Sequence, residues 1–319
     1  MALVRLLEGA GGWAPGKVGM AAGQTDGTGD GGERGGPRGR GDAPAPAGTA
    51  VSVFRFRRGE TVPTRMRDAV AATHDRMRTT FATPRVDPGR VWDALNSIAT
   101  DDRRLALNRL VAAAPGEPAA TAFDVLRTQL VQAVAEHHWK RIGVTAPTSG
   151  CGKSFVLANL ALALSRRPDY RTVVIDLDLR APSLARHFAV EDAGRLAEVL
   201  AGEQPLEAMF HRVGRTLALG LNDVEEAAAA EILQDRRTIA NIEAIEGALL
   251  PDLTLFDLPP LLEGDAALGF LPHVDGVLLV ADGTRTLARE LSAAERLLKD
   301  RTVFVGVVLN RAESTAIGR

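Results

Sequence analysis

Cysteine and tyrosine each occur once in the 319 residues, as Cys151 and Tyr170, and aromatic residues make up only 4% of the chain. A single cysteine excludes an internal disulfide and fits a reducing compartment. No apolar run approaches the roughly 20 residues that a membrane-crossing helix needs. The opening "MALVRLLEGAGGWAPGK" has too short an apolar stretch to read as a signal peptide. Neither sign of charge dominates: 38 basic and 40 acidic residues leave a formal net charge of -2, so no basic field argues for nucleic acid. These absences predict a soluble, cytoplasmic chain.

What is present is unevenly spread. Residues 1–50 hold 15 of the 32 glycines, with Pro15, Pro37, Pro44 and Pro46 among them. Such a stretch buries too little apolar surface to offset its ordering entropy, and it predicts a disordered tail. Residues 51–117 form an Arg-rich arm and linker, with seven Arg against three acids between Val51 and Thr80. A solvated, partly helical arm is the plain reading; with Phe54 and Phe56 it has the chemistry for peripheral contact with anionic lipid or a partner. "VWDALNSI" and "DDRRLALNRLVAAAP" are short amphipathic pieces leading into the folded unit.

The texture changes near Pro118, and residues 118–319 read as one domain. "TAFDVLRTQLVQAVAEHH" carries apolar residues at helical spacing. "RIGVTA", "TVVIDLDL", "LTLFDL", "GVLLVAD" and "VFVGVVLN" are continuous apolar strands, separated by helical patterns such as "KSFVLANLALALSRR" and "RELSAAERLLKD". Strands of that kind alternating with helices predict a doubly wound α/β fold: a mainly parallel sheet with helices on both faces. Ligands of such sheets bind at the carboxyl ends of the strands.

"TAPTSGCGKS" (145–154) stands at such an end. It closes as a phosphate-binding loop closes, although Pro147 stands where the first Gly of G-x-x-x-x-G-K-[ST] belongs. Gly150 and Gly152 let the backbone approach phosphate without a Cβ, and the N–H groups of Ser149 through Phe155 lie at a helix N-terminus. Lys153 would reach the β- and γ-phosphates of ATP and Ser154 would ligate Mg²⁺. A chance G-K-S on an ordinary strand-turn-helix is the competing reading. Two further strand ends argue against it: "VVIDLDLRAP" places Asp176 and Asp178 on one side of a strand end, and "LTLFDLPP" places Asp257 as a Walker B carboxylate. An ATP site explains all three acids.

With these motifs in hand, residues from about 118 to 315 resemble the cytoplasmic ATPase domain of bacterial tyrosine kinases from capsule and exopolysaccharide systems. The pieces that carry the resemblance are "FDVLRTQL", "TAPTSGCGKS", "VVIDLDLRAPSLARHF", "FDLPPLLEGDAALGFLPHVDGVLLV" and "VGVVLNR". It implies transfer of phosphoryl from ATP to a tyrosine hydroxyl, with Lys153 and Asp178 catalytic, Asp176 and Asp257 serving Mg²⁺, and Asn310 at the adenine edge. It also implies a transmembrane co-polymerase or adaptor as partner and the possibility of a homo-oligomer. The alternative is a non-kinase ATPase switch of the partitioning or cell-division-site class; that class carries a second Lys where Thr148 stands here. Two departures are visible. The family's assembly helix, E-x-x-R-x-x-R, reads Thr121, Asp124, Arg127, and a tyrosine-rich tail has no counterpart. Asp124 is expected to meet a basic partner surface.

His137 and His138, adjacent on a helix, point in different directions and are read as surface or interface residues. Cys151 sits at the helix N-terminus inside the phosphate loop, where a small residue tolerated at a variable position is a simpler reading than a redox role.

Overall fold

The structure is a computed structural model that describes residues 51–52, 87–98, 110–113 and 118–312. The Gly/Pro-rich tail and most of the Arg-rich arm lie outside the described residues.

Among the described residues nine strands form a single sheet in the order β1-β9-β8-β3-β7-β4-β6-β5-β2. The five predicted strands make its parallel centre: β3 (Arg141–Thr145), β4 (Thr172–Asp176), β7 (Leu253–Asp257), β8 (Gly276–Asp282) and β9 (Val303–Asn310). β5 (Phe210–Val213) and β6 (Leu217–Gly220) form a hairpin that extends the sheet past β4. The edges are two-residue strands, β1 (Val51–Ser52) antiparallel to β9 and β2 (Asn96–Ser97) parallel to β5.

Alternation along each strand sends side chains to two separate cores. Val144, Val174, Leu255 and Leu278 face one side, where α2 (Pro118–His137) and α3 (Lys153–Ser165) pack through Phe123, Leu130, Val156 and Leu160. Val173, Ile175, Phe256 and Val277 face the other, covered by α8 (Arg236–Leu249), α9 (Ala266–Phe270) and α10 (Ala288–Lys299). Every residue of α3 from Lys153 to Leu164 is buried, which explains why that helix reads as uniformly apolar and not amphipathic.

Residues 87–98, placed by composition in the arm and linker, join the folded unit. α1 (Pro88–Ala94) starts on Asp87, whose side chain accepts from the Gly89 N–H, and buries Val91 and Trp92. The Trp92 indole donates to the Leu249 carbonyl at 2.8 Å. Residues 110–113 dock on the opposite face: the Ala112 N–H donates to Asn159, and Arg166 donates to the Ala112 carbonyl.

The register brings the predicted site to one rim. β7 lies between β3 and β4, so Asp257 is paired with Val144 on one side and Asp176 on the other. On the far side of β3, Asn310 at the end of β9 pairs with Asp282 at the end of β8.

Candidate nucleotide site

β3 ends and the chain turns through Gly150 (φ +77°) and Gly152 (φ +85°) into α3. Both lie in the left-handed region that side chains rarely adopt. A Cβ at Gly152 would fall 2.2 Å from Asn310 Nδ2, so space as well as backbone conformation requires glycine there. No side chain caps the N-terminus of α3. Its free N–H groups and the positive end of the helix dipole are the elements of an anion cradle.

Beneath the loop, Lys153 Nζ lies 2.7 Å from Asp178 Oδ2 and 3.0 Å from Asp257 Oδ1, with Ser154 Oγ at 3.3 Å. The structure therefore brings together Lys153, Ser154, Asp178 and Asp257, from three separate motifs. Burial alone would depress the Lys153 ammonium, but the charges of Asp257 and Asp178 outweigh it and hold its pKa above the ordinary lysine value. Asp257 and Asp176 are fully buried, and burial raises both above the ordinary carboxylate range. For Asp176 the neighbouring charge of Asp257 adds to the effect, while Lys153 and the Leu184 N–H oppose it.

The three acids differ in what they have left to offer. Asp176 accepts from the Asp178 N–H through Oδ1 and from the Leu184 N–H through Oδ2, both at 3.2 Å, and so shapes the turn that presents Asp178. Asp257 gives Oδ1 to Lys153, while Oδ2 is buried with no hydrogen-bond partner. Such an orphan is costly unless a water or ion completes it. Among the described residues no group of three or more His, Cys, Asp or Glu could hold a metal unaided.

The remaining expected residues are placed less directly. Phe155 turns its ring into the core against Phe123 and His187, leaving its backbone N–H as its possible contribution. Cys151 is buried, with Thr286 Oγ1 3.5 Å from its sulfur. Asn310, expected at an adenine edge, donates Nδ2 to the Cys151 carbonyl at 2.9 Å and accepts from the Arg311 N–H. Its amide holds the phosphate loop in this structure.

Two side chains outside the predicted set, Arg311 and Glu263, hydrogen-bond the loop backbone, and Asp282 pairs with the first of them. Arg311 donates to the Gly150 carbonyl at 3.1 Å and to Asp282 at 2.7 Å. Glu263 accepts from the Ser149 N–H at 2.6 Å. Arg311 directly follows a predicted site residue and Asp282 ends a predicted strand, so position alone marks them as candidates. Glu263 follows the D-x-P-P string in a polar turn, and nothing in its local pattern singles it out.

The assembly-helix position differs from expectation. Asp124 pairs with Arg127 at 3.1 Å and with Arg166 at the end of α3. Its charge already has two partners within the chain, while the side chain stays partly exposed. His137 is exposed and stacks on Trp139, as a surface residue would.

The stretch that carries this site matches a known family. Residues 142–318 fit the model of the CobQ/CobB/MinD/ParA nucleotide-binding domain. The chain belongs to this family. Within it, the chain is 31% identical over 202 residues to the putative tyrosine-protein kinase EpsB of Ralstonia solanacearum, covering 61% of this chain and 26% of that one. It is 29% identical over 220 residues to the succinoglycan biosynthesis transport protein ExoP of Rhizobium meliloti, covering 67% and 27%. The chain thus spans about a quarter of the length of these relatives. The kinase domain of the Escherichia coli tyrosine kinase ETK superposes with a TM-score of 0.60 at 25% identity, covering 70% of this chain and 91% of that domain. The matched parts of the relatives establish a P-loop nucleotide-binding fold.

Proposed function

We propose that the domain binds Mg-ATP at residues 149–155 and transfers its γ-phosphoryl group to a tyrosine hydroxyl of a protein in exopolysaccharide or capsule biosynthesis. The observation that carries this reading is Lys153 held between Asp178 and Asp257 under a glycine-formed anion cradle. The relatives named tyrosine-protein kinases supply the acceptor class.

Mg²⁺ fits the residues present: Asp257, whose Oδ1 reaches Lys153 beside Ser154, keeps a second carboxylate oxygen, Oδ2, buried and unpartnered. Ser154 and Asp257 would hold the ion, with Asp176 behind them, and the phosphates would complete its shell. When bound, it neutralises charge on the transferred group.

The chain's own groups do the rest. Backbone N–H groups of the loop orient the phosphates. Lys153 exchanges one of its carboxylates for phosphate oxygen and follows the developing charge. Asp178, released from Lys153, accepts the proton of the tyrosine O–H as that oxygen bonds to phosphorus and the bond to ADP breaks. Asn310 and Arg311 keep the loop in register while this occurs.

No helix among the described residues is long and apolar enough to cross a membrane. The proposed acceptor and activator is the cytoplasmic part of a transmembrane polysaccharide co-polymerase or adaptor. Incubating the purified chain with γ-labelled ATP, Mg²⁺ and that part of its cognate protein tests the reading. Label on tyrosine, lost in Lys153→Ala and Asp178→Asn, is the expected result. Phosphate release without transfer would instead assign the ATPase switch.

A further inference from the structure

The segment after β7 does more than carry Asp257. It runs beside the phosphate loop and is zipped to it: the Leu258 N–H donates to the Val144 carbonyl, Leu261 to Ala146 and Leu262 to Pro147, at 2.9, 2.9 and 3.0 Å. The Thr145 hydroxyl donates to the Pro259 carbonyl at 2.6 Å. The last tooth is of another kind. Glu263 places carboxylate oxygen Oε1 2.6 Å from the Ser149 nitrogen, within the stretch whose N–H groups are expected to bind phosphate.

We propose that Glu263 sets the affinity of this site for oligophosphate by occupying the Ser149 N–H as an internal anion that a nucleotide must displace. The inference rests on the reading of residues 149–155 as a nucleotide site. Its physical basis is competition for one donor: a backbone N–H cannot serve a carboxylate and a phosphoryl oxygen at full strength together, and the two anions repel at that distance.

Displacement is mechanically open. Glu263 is exposed, so no buried packing holds it. Gly264 follows at φ +147° with open space where a Cβ would project, a backbone state almost confined to glycine. Rotation there frees the carboxylate while the Leu261 and Leu262 bonds hold the rest of the zipper. Phosphate entry at Ser149 is thereby coupled to the turn that leads into α9.

Calorimetric titration of the purified chain with pyrophosphate and with ATP tests the assignment in the wild type, Glu263→Gln, Glu263→Ala, Asp265→Asn and Lys153→Ala. Asp265 is a second exposed acid on the same turn whose side chain makes no capping bond to α9. Removing one unit charge from about 4 Å of a phosphate should tighten binding about fivefold or more in both Glu263 variants, and the gain should shrink as salt rises. Asp265→Asn should change affinity by less than about twofold, since a screened charge without the N–H contact contributes little. Equal or weaker binding in the Glu263 variants would overturn the assignment, as would an equal gain from Asp265→Asn. If wild type and Glu263→Ala both fail to bind either ligand, the nucleotide reading itself falls. Wild-type binding that Lys153→Ala abolishes and the Glu263 variants leave unchanged would retain that reading and remove only the competitor.

Discussion

Replacing Lys153 with Met should destabilise the nucleotide-free domain as well as disable its chemistry. The substitution keeps most of the apolar stem and deletes the ammonium that lies 2.7 Å from Asp178 and 3.0 Å from Asp257. Three carboxylates then share a buried site with no cation, and Asp257 and Asp176 have no exposed surface at all. Removing one partner of a buried pair costs about 3–5 kcal/mol. Proton uptake limits the loss: neutralising one ordinary aspartate at pH 7 costs about 4 kcal/mol, three pKa units at about 1.4 each. A deficit of about 3–4 kcal/mol follows, or about 6–16 °C in Tm for a domain of this size.

The sign with pH follows from the acids. Burial raises the folded-state pKa of Asp176 and Asp257, and removal of the cation raises them further. An acid with a raised folded pKa loses stability as pH climbs above its unfolded value, so the deficit should shrink from pH 8 to pH 5. Adding Asp257→Asn to Lys153→Met should recover a large part of it, because the second substitution removes a charge the first left alone. Thermal unfolding followed by circular dichroism, with chelator and without nucleotide, gives each value. A Lys153→Met melting point within about 2 °C of wild type at pH 7.5 would refute the reasoning.

Other expectations follow from single residues. Gly152→Ala should abolish ATP binding measured by calorimetry, since its Cβ would collide with the Asn310 amide at a positive φ; wild-type affinity would mean the loop does not hold this shape. Gly247→Ala, exposed within α8 with nothing within 4 Å of the new methyl, should raise stability by about 0.5–1 kcal/mol in urea titrations, and a loss would contradict its placement. Tyr170 is the only tyrosine, so absorbance near 295 nm reports it alone. Burial, aided by Asp252 and opposed by Arg167, pushes its phenol up to about 12, and the protein should ionise near there where a urea-unfolded sample ionises near 10; a native midpoint near 10 would contradict the enclosure of its hydroxyl.

Much of this domain was legible in the residue order. The five central strands are unbroken apolar runs because both faces of the sheet are covered, but β4 stops at Asp176, so a turn and not strand alternation presents Asp178. β5 and β6 are silent in the residue order for a physical reason: four residues each, they show no period long enough to register. α1 reads as part of the arm because seven residues do not declare which core they enter; Trp92 finds its partner only through the fold. Lys153, Asp178 and Asp257 were identified, but not that Lys153 would turn onto the acids. The bond from Asn310 to the Cys151 carbonyl joins positions 159 residues apart, and Asp124 meets Arg166 across 42. Pairings at such separations are set by tertiary structure, and no local pattern announces them.

The docking of α1 has a consequence in time. Val91, Trp92 and Leu95 are among the first residues of the folded unit to leave a ribosome, yet the carbonyl that receives the Trp92 indole is 157 positions later. At 5–20 residues per second, that interval is about 8–30 s. β2 waits as well, because its partner strand begins at Phe210. Throughout that delay an indole and two aliphatic side chains stand in water without a surface to cover them, a natural handhold for a chaperone. An early-made piece of the domain is thus among the last to find its place.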